Sequence, residues 1–167
     1  MKRYVYIVAT LLAVALVCTS ETVPSYPYRY EYAPVYMERS ELEKSVGYVS
    51  GARRMENPGK IYIHGDRIYV NEKYRGIHVI DNSDPYTPEQ IGFIIAPGCL
   101  DMAVKGNIMY LDNAVDFVAF DLESGEVTER IRDFFPEHLI SPDGYWRDDP
   151  NARPEGMILV GWRKENV

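Results

Sequence analysis

One phrase occurs twice in this chain, about 40 residues apart. Ile61-Tyr-Ile-His-Gly-Asp-Arg-Ile-Tyr-Val-Asn71 aligns with Met102-Ala-Val-Lys-Gly-Asn-Ile-Met-Tyr-Leu-Asp112. After each phrase comes a second apolar segment that closes on aspartate, Gly76-Ile-His-Val-Ile-Asp81 and then Asp116-Phe-Val-Ala-Phe-Asp121. A unit of this size cannot bury its apolar face alone, so repeats of this period stack on one another. The fold is thereby restricted to a set of similar, packed β units.

Each unit reads as four strands. In the first, Lys60–His64 turns into Arg67–Asn71 through Gly65-Asp66. Glycine at the first turn position suits a tight type II′ hairpin, and Gly106-Asn107 repeats it in the second unit. The third strands are Gly76–Asp81 and Asp116–Asp121, and the fourth lie near Glu89–Ile95 and Val127–Ile131. Ile, Val and Tyr dominate these segments, as half-buried pleated surfaces prefer. Asp81 and Asp121 recur at one position, where a carboxylate caps the turn that follows. Four strands in about 40 residues is the pattern of a propeller blade. Repeats extend over about 59–98 and 99–135, in a β-repeat domain spanning 57–167.

Ile77-His-Val-Ile-Asp-Asn-Ser-Asp-Pro85 resembles the bacterial LVIVD repeat, an apolar strand closing on Asp and followed by Ser-Asp-Pro. Pro34–Met37, Asn57–Tyr62, Asp101–Gly106 and Val160–Trp162 extend the resemblance over most of residues 34–162. It implies a β-propeller-like surface or periplasmic lipoprotein. The second unit departs from it, with Leu122-Glu-Ser-Gly125 in place of Ser-Asp-Pro. Rings close with roughly 4–8 blades, and two clear repeats are too few. The expectation is an all-β chain with two propeller-blade-like, four-stranded antiparallel units, an incomplete propeller. It is a shortened member of the family, a fragment, or a protomer whose open sheet edge is covered by a protein partner or a second copy. Flanking loops, the Tyr-rich segment and the strand Met157–Trp162 are the coverings available within the chain.

The N-terminus adds an address. Met1-Lys2-Arg3 precedes an uncharged run from Tyr4 to Val17, shorter than the roughly 20 residues a membrane span needs. A basic start and a short apolar stretch make a signal peptide, here residues 1–19 with a signal helix. Leu16-Val17-Cys18 resembles a lipobox, with valine where Gly, Ala or Ser is usual. Cys18 is therefore the candidate lipid attachment site, and acyl chains on it would tether the domain to a membrane. The expected location is the cell envelope, as an outer-membrane or surface lipoprotein or a secreted or periplasmic protein. Residues 20–56 read as a tether with one short helix. Tyr26, Tyr28, Tyr30, Tyr32 and Tyr36 alternate through it among Pro24, Pro27 and Pro34, and the box Ser40-Glu-Leu-Glu43 opens the helix through about Val46.

Charge and cysteine usage exclude further classes. The chain carries 18 Lys+Arg against 25 Asp+Glu, a net of −7. No basic cluster stands out along it, which argues against nucleic acid and against docking on anionic lipid. Apart from Cys18 the only cysteine is Cys99, so no internal disulfide forms, and Cys99 reads as a small buried residue. His64, His78 and His138 lack metal spacing, and His78, alternating with Ile77 and Val79, is expected to face water or a loop. Asp143, Asp148 and Asp149 lie in a stretch rich in Asp, Pro and Gly without EF-hand order. Within it Tyr145, Trp146 and Arg147 form the candidate recognition surface, an aromatic and cationic patch. No nucleophile motif or phosphate-cradling loop is present, and no catalytic, cofactor or metal residue is assigned. The function expected is binding or scaffolding in the envelope. The alternatives are a glycan-active hydrolase or lyase on the same scaffold, and a truncated chain without independent activity.

Overall fold

The computed structural model describes residues 31–145 and 147–165. Eleven strands and one four-residue helix follow in order: β1 (Tyr32–Glu38), α1 (Arg39–Leu42), β2 (Gly47–Ser50), β3 (Pro58–His64), β4 (Arg67–Glu72), β5 (Gly76–Asp81), β6 (Glu89–Ile95), β7 (Met102–Lys105), β8 (Ile108–Asn113), β9 (Asp116–Asp121), β10 (Val127–Ile131) and β11 (Met157–Lys164). The protein is all-β. Three antiparallel sheets form, and none closes: β2-β6-β5-β4-β3, β10-β9-β8-β7, and the ribbon β1-β11. The expected signal helix and Cys18 lie outside the described residues.

The repeated phrases become the hairpins β3-β4 and β7-β8. Their two-residue turns pair His64 with Arg67 and Lys105 with Ile108. Gly65 and Gly106 take φ of +56° and +61° while the residue after each does not, as a type II′ turn requires. Asp81 accepts the Ser83 N–H at 2.9 Å, and Asp121 accepts those of Glu123 and Ser124 at 2.7 and 3.2 Å. The aspartate therefore caps both turns, although the second has lost Ser-Asp-Pro.

Two expectations need correction. The first sheet has five strands rather than four, because Gly47–Ser50 pairs with the outer side of β6. Tyr48 lays its ring over Gly92, where an added Cβ would sit 2.2 Å from the ring hydroxyl. The short helix begins at Arg39 with Glu38 as N-cap, and no side chain caps it, so Ser40 and Glu43 do not form the box. His78, expected to face water or a loop, faces the loop: it is 1% exposed because the segment before β3 covers the face of β5 opposite the core.

The two larger sheets share one core. Tyr69, Ile77, Val79 and Ile94 of the first pack with Met102, Val104, Met109, Leu111, Val118 and Phe120 of the second. In β7, Met102 and Val104 are buried while Ala103 and Lys105 are exposed, the period-two signature of a strand with one face on the core. The crossover 96–101 that joins the sheets is pinned from both sides. Asn71 Nδ2 donates to the Cys99 carbonyl at 3.2 Å. Asp112, at the same repeat position in the second unit, accepts the N–H groups of Leu100 and Asp101 at 3.0 and 2.8 Å. Asn113 Nδ2 donates to the Pro97 carbonyl at 2.7 Å. Gly98, at φ +82°, lies so close to Ala114 that a Cβ would meet it at 2.6 Å.

The final strand does not extend either sheet. It pairs with β1, and Val35 and Met37 of β1 with Ile158 and Val160 of β11 pack on Leu42, Ala114 and Val115. Pro34 is tolerated in β1 because a two-stranded ribbon leaves it an outer side without a pairing partner. β3 ends the first sheet, with Ile61 and Ile63 each 66% exposed. Among the described residues, 132–156 add to the strand pairing only the isolated bridge between Ile140 and Arg147.

A buried ion cluster ties this ribbon to the second sheet. Asp116, fully buried, takes Arg39 at 2.6 Å, Arg130 at 2.8 Å and the Asp133 N–H at 3.0 Å. Burial would raise its carboxyl, but Arg39, the Asp133 N–H and Arg130 together hold it below the ordinary carboxylate range. Removing one member of a buried ion cluster costs about 3–5 kcal/mol. Arg39 keeps 28% of its side chain in water, so Asp116→Ala is expected near the lower end, about 3 kcal/mol. Urea unfolding checks this, and a loss below about 1 kcal/mol would contradict it. The loss should be full at neutral pH and shrink as acid protonates Asp116 below the ordinary carboxylate range.

Candidate functional site

The strand β4 ends on Glu72, and β5 begins four residues later, so their connection lies at one end of the first sheet. Tyr74 holds it in a left-handed conformation, φ 66°, costing roughly 1–2 kcal/mol for a residue with a Cβ. Its N–H donates to the Cys99 carbonyl at 2.9 Å, and its carbonyl accepts the Gly98 N–H at 3.0 Å. Its side chain presses on Gly161 of β11, where an added Cβ would lie 2.7 Å away. The first sheet and the ribbon thus meet at Tyr74, and a groove of about 920 Å³ opens between them.

One wall is a loop held down by side chains. Glu72, 2% exposed, accepts the N–H groups of Asn57 at 2.5 Å and Glu56 at 3.1 Å. Nε2 of His78 lies 3.1 Å from the same carboxylate, and the Gln90 amide bonds Nδ1. Oε1 of Gln90 accepts the Arg53 N–H at 2.9 Å. With Gln90 donating to Nδ1, His78 carries its proton on Nε2 and donates it to Glu72. Segment 53–57 is therefore anchored at both ends by one hydrogen-bonded chain with a buried centre, Arg53–Gln90–His78–Glu72–Asn57. Burial alone would raise Glu72, but the N–H groups of Asn57 and Glu56 and the His78 ring leave it below the ordinary carboxylate range.

This anchoring gives the groove its charge. Arg53 and Arg54 come from the held loop, Lys73 and Arg75 from the β4-β5 connection, and Arg163 and Lys164 from β11. Only Glu56 and Glu72 are acidic among the lining residues. All six cations are exposed. Arg75 is paired with Glu56, Arg163 with Glu165 and Lys164 with Glu31. Arg53, Arg54 and Lys73 have no carboxylate partner among the described residues, and the Arg53 guanidinium stands 4.8 Å over the Phe93 ring. A −7 protein therefore holds a locally basic groove. Tyr32 and Tyr74, both half-buried, supply aromatic surface to the same lining, while Phe93 and Trp162 back it from the interior.

The sequence showed no basic cluster because the cations come from three separate stretches, each with only two. Arg53-Arg54 and Arg163-Lys164 are adjacent pairs, but they lie more than a hundred residues apart. The tie through Glu72 and His78 had no signal, since a buried histidine opposite a strand's core face depends on what covers that face.

The residues expected to recognise a ligand lie elsewhere. Tyr145 is 71% exposed and Arg147 is exposed next to the bridge with Ile140, while Trp146 lies outside the described residues. Neither Tyr145 nor Arg147 lines the groove. Asp143 accepts the Tyr145 N–H at 3.2 Å and Asp149 the Asn151 N–H at 2.9 Å, each within its own turn. Asp148, 5% exposed, takes the Tyr36 hydroxyl and lies 3.7 Å from Arg153, which also pairs with Glu137. Burial and then the bond to Asp148 push the Tyr36 hydroxyl up to about 12. Among the described residues no three His, Cys, Asp or Glu side chains converge as a metal site. Cys99 is fully buried, and burial followed by the Asp112 charge raises its thiol well above the ordinary range, the opposite of a reactive cysteine.

For acid–base chemistry the groove is poorly supplied. A general base works best near the operating pH, and Glu72 is shifted the other way. Both nitrogens of His78 are already engaged. Burial raises the Tyr74 hydroxyl, moving it further from neutrality. No protein-family model, curated protein or solved structure matches the chain.

Hydrogen bonds to a charged group contribute about 1.5–3 kcal/mol, so Glu72→Gln should cost about 2 kcal/mol at neutral pH in urea unfolding. The contribution of a depressed carboxyl is present above its ordinary range and lost as pH falls through the folded value. The difference between wild type and variant should therefore narrow below about pH 4. A difference constant from pH 7 to pH 3, or none at pH 7, would contradict the role given to Glu72.

Proposed function

We propose that this is an exported, membrane-tethered β-repeat binding protein of the LVIVD type, and that the groove beside the first sheet is where it binds. The two larger sheets are taken as blade-like units, supported by their hairpin order and by the aspartate cap kept in both. Cys18 is the residue through which acyl chains would attach, with the cell envelope as the location. The observation that carries the binding reading is an open groove with exposed cations and aromatic surface, while its buried Glu72–His78 pair is committed to holding a loop. A glycan-cleaving enzyme on this scaffold needs a free proton donor or acceptor, whereas Glu72 is held below the ordinary carboxylate range by its three donors and both His78 nitrogens are engaged.

Two measurements check this reading. Cells fed an alkyne fatty acid should yield labelled protein in the envelope fraction, with the label lost in Cys18→Ala. Unlabelled wild type, or label that survives the substitution, would contradict the tether. Purified protein incubated with envelope polysaccharides should leave chain length and reducing ends unchanged, and new reducing ends that depend on intact protein would overturn binding in favour of hydrolysis.

A further inference from the structure

The groove lies in a protein whose net charge is −7, yet six of its lining residues are cations against two carboxylates. Three of the cations, Arg53, Arg54 and Lys73, have no carboxylate partner among the described residues. Two features show that this gathering is built. The backbone carrying Arg53 is fixed by Gln90 at 2.9 Å, and the far end of the same loop is fixed by Glu72. Lys73 is joined to that loop by its N–H, which donates to the Asn57 carbonyl at 3.0 Å. Loop and connection thus present their cations from one rigid rim.

Resting on the binding reading above, we propose that the ligand is an acidic polysaccharide whose carboxylate or sulfate groups are held by Arg53, Arg54 and Lys73. Guanidinium groups present paired donors that match the two oxygens of such groups. The aromatic lining supplies apolar faces against which a sugar ring can rest, with Tyr32 and Tyr74 both half-buried. Charge density selects against nucleic acid. Duplex DNA carries one charge per ~1.7 Å, and a strand of that density is repelled by the remainder of a chain whose net charge is −7. A glycan with its charges spaced along the sugars meets the cations within the groove and much less repulsion beyond it.

Affinity electrophoresis of the purified protein tests this, in gels containing polygalacturonate, lightly substituted dextran sulfate or neutral dextran. Retardation is expected in the first two and none in neutral dextran, and whichever of the first two retards more identifies carboxylate or sulfate as the preferred group. The double variant Arg53→Gln, Arg54→Gln and, separately, Lys73→Gln should each weaken retardation, the double by about tenfold in apparent affinity. Both keep the anchoring backbone N–H groups and should melt with the wild type. Lys105→Gln, on β7 outside the groove, should bind as the wild type does. Added salt should weaken binding, as exposed charge pairs are screened.

Equal retardation in neutral dextran would overturn the charge inference. So would undiminished binding by the groove variants, or tighter binding of a single-stranded oligonucleotide in fluorescence anisotropy. No retardation by any polysaccharide sinks the acidic glycan and leaves the binding reading to its own test. Retardation accompanied by new reducing ends keeps the acidic glycan and sinks the binding reading.

Discussion

The crossover between the two larger sheets is the constraint on which the rest depends. Residues 96–101 carry a row of backbone groups through the interior, and each must find a partner or cost desolvation free energy. The chain meets this with the repeat itself. Asn71 and Asp112 occupy one repeat position, and both turn their side chains to this crossover from opposite sheets. The amide of Asn71 donates to a carbonyl, while the carboxylate of Asp112 accepts two N–H groups. The repeat has thus kept the site and changed the chemistry to suit the end of the crossover it serves. Because Tyr74 is bonded to the same segment, the β4-β5 connection inherits its fixed position. The floor of the groove is set by that.

From this frame the groove follows in a second step. Glu72 is the next residue after Asn71, so the strand that pins the crossover also pins the loop 53–57. Its carboxylate is affordable in the interior because three donors surround it. The buried acid thus serves to place exposed bases. Two electrostatic arrangements coexist in one acidic chain. In the Asp116 cluster opposite charges are buried together and act on stability. In the groove the cations remain in water, where charge acts on encounter and choice of ligand more than on folding.

The hairpins and the paired turns were legible in the sequence because alternation and glycine position are local properties. Gly65 and Gly106 announce their turns, and Asp81 and Asp121 announce their caps. What was not legible is long-range. Tyr32–Glu38 reads as part of a proline-broken tether, and only its pairing with Met157–Lys164 makes it a strand. Alternation turns His78 toward water or a loop, and the pattern of β5 does not say which, since the covering loop folds back from elsewhere. The cations of the groove are too dispersed in sequence to register as a patch. The bulky Tyr145 and Arg147 stand out in the sequence for their chemistry, yet the cavity forms where several modest segments meet.

Native-state hydrogen exchange tests the central claim, that the crossover makes the two sheets one cooperative body. The amides of Leu100 and Asp101 should exchange at the slowest rate, together with those of β4 and β8, with one opening free energy equal to that of global unfolding. Early exchange at Leu100 and Asp101, or two distinct opening free energies for the sheets β3–β6 and β7–β10, would contradict it.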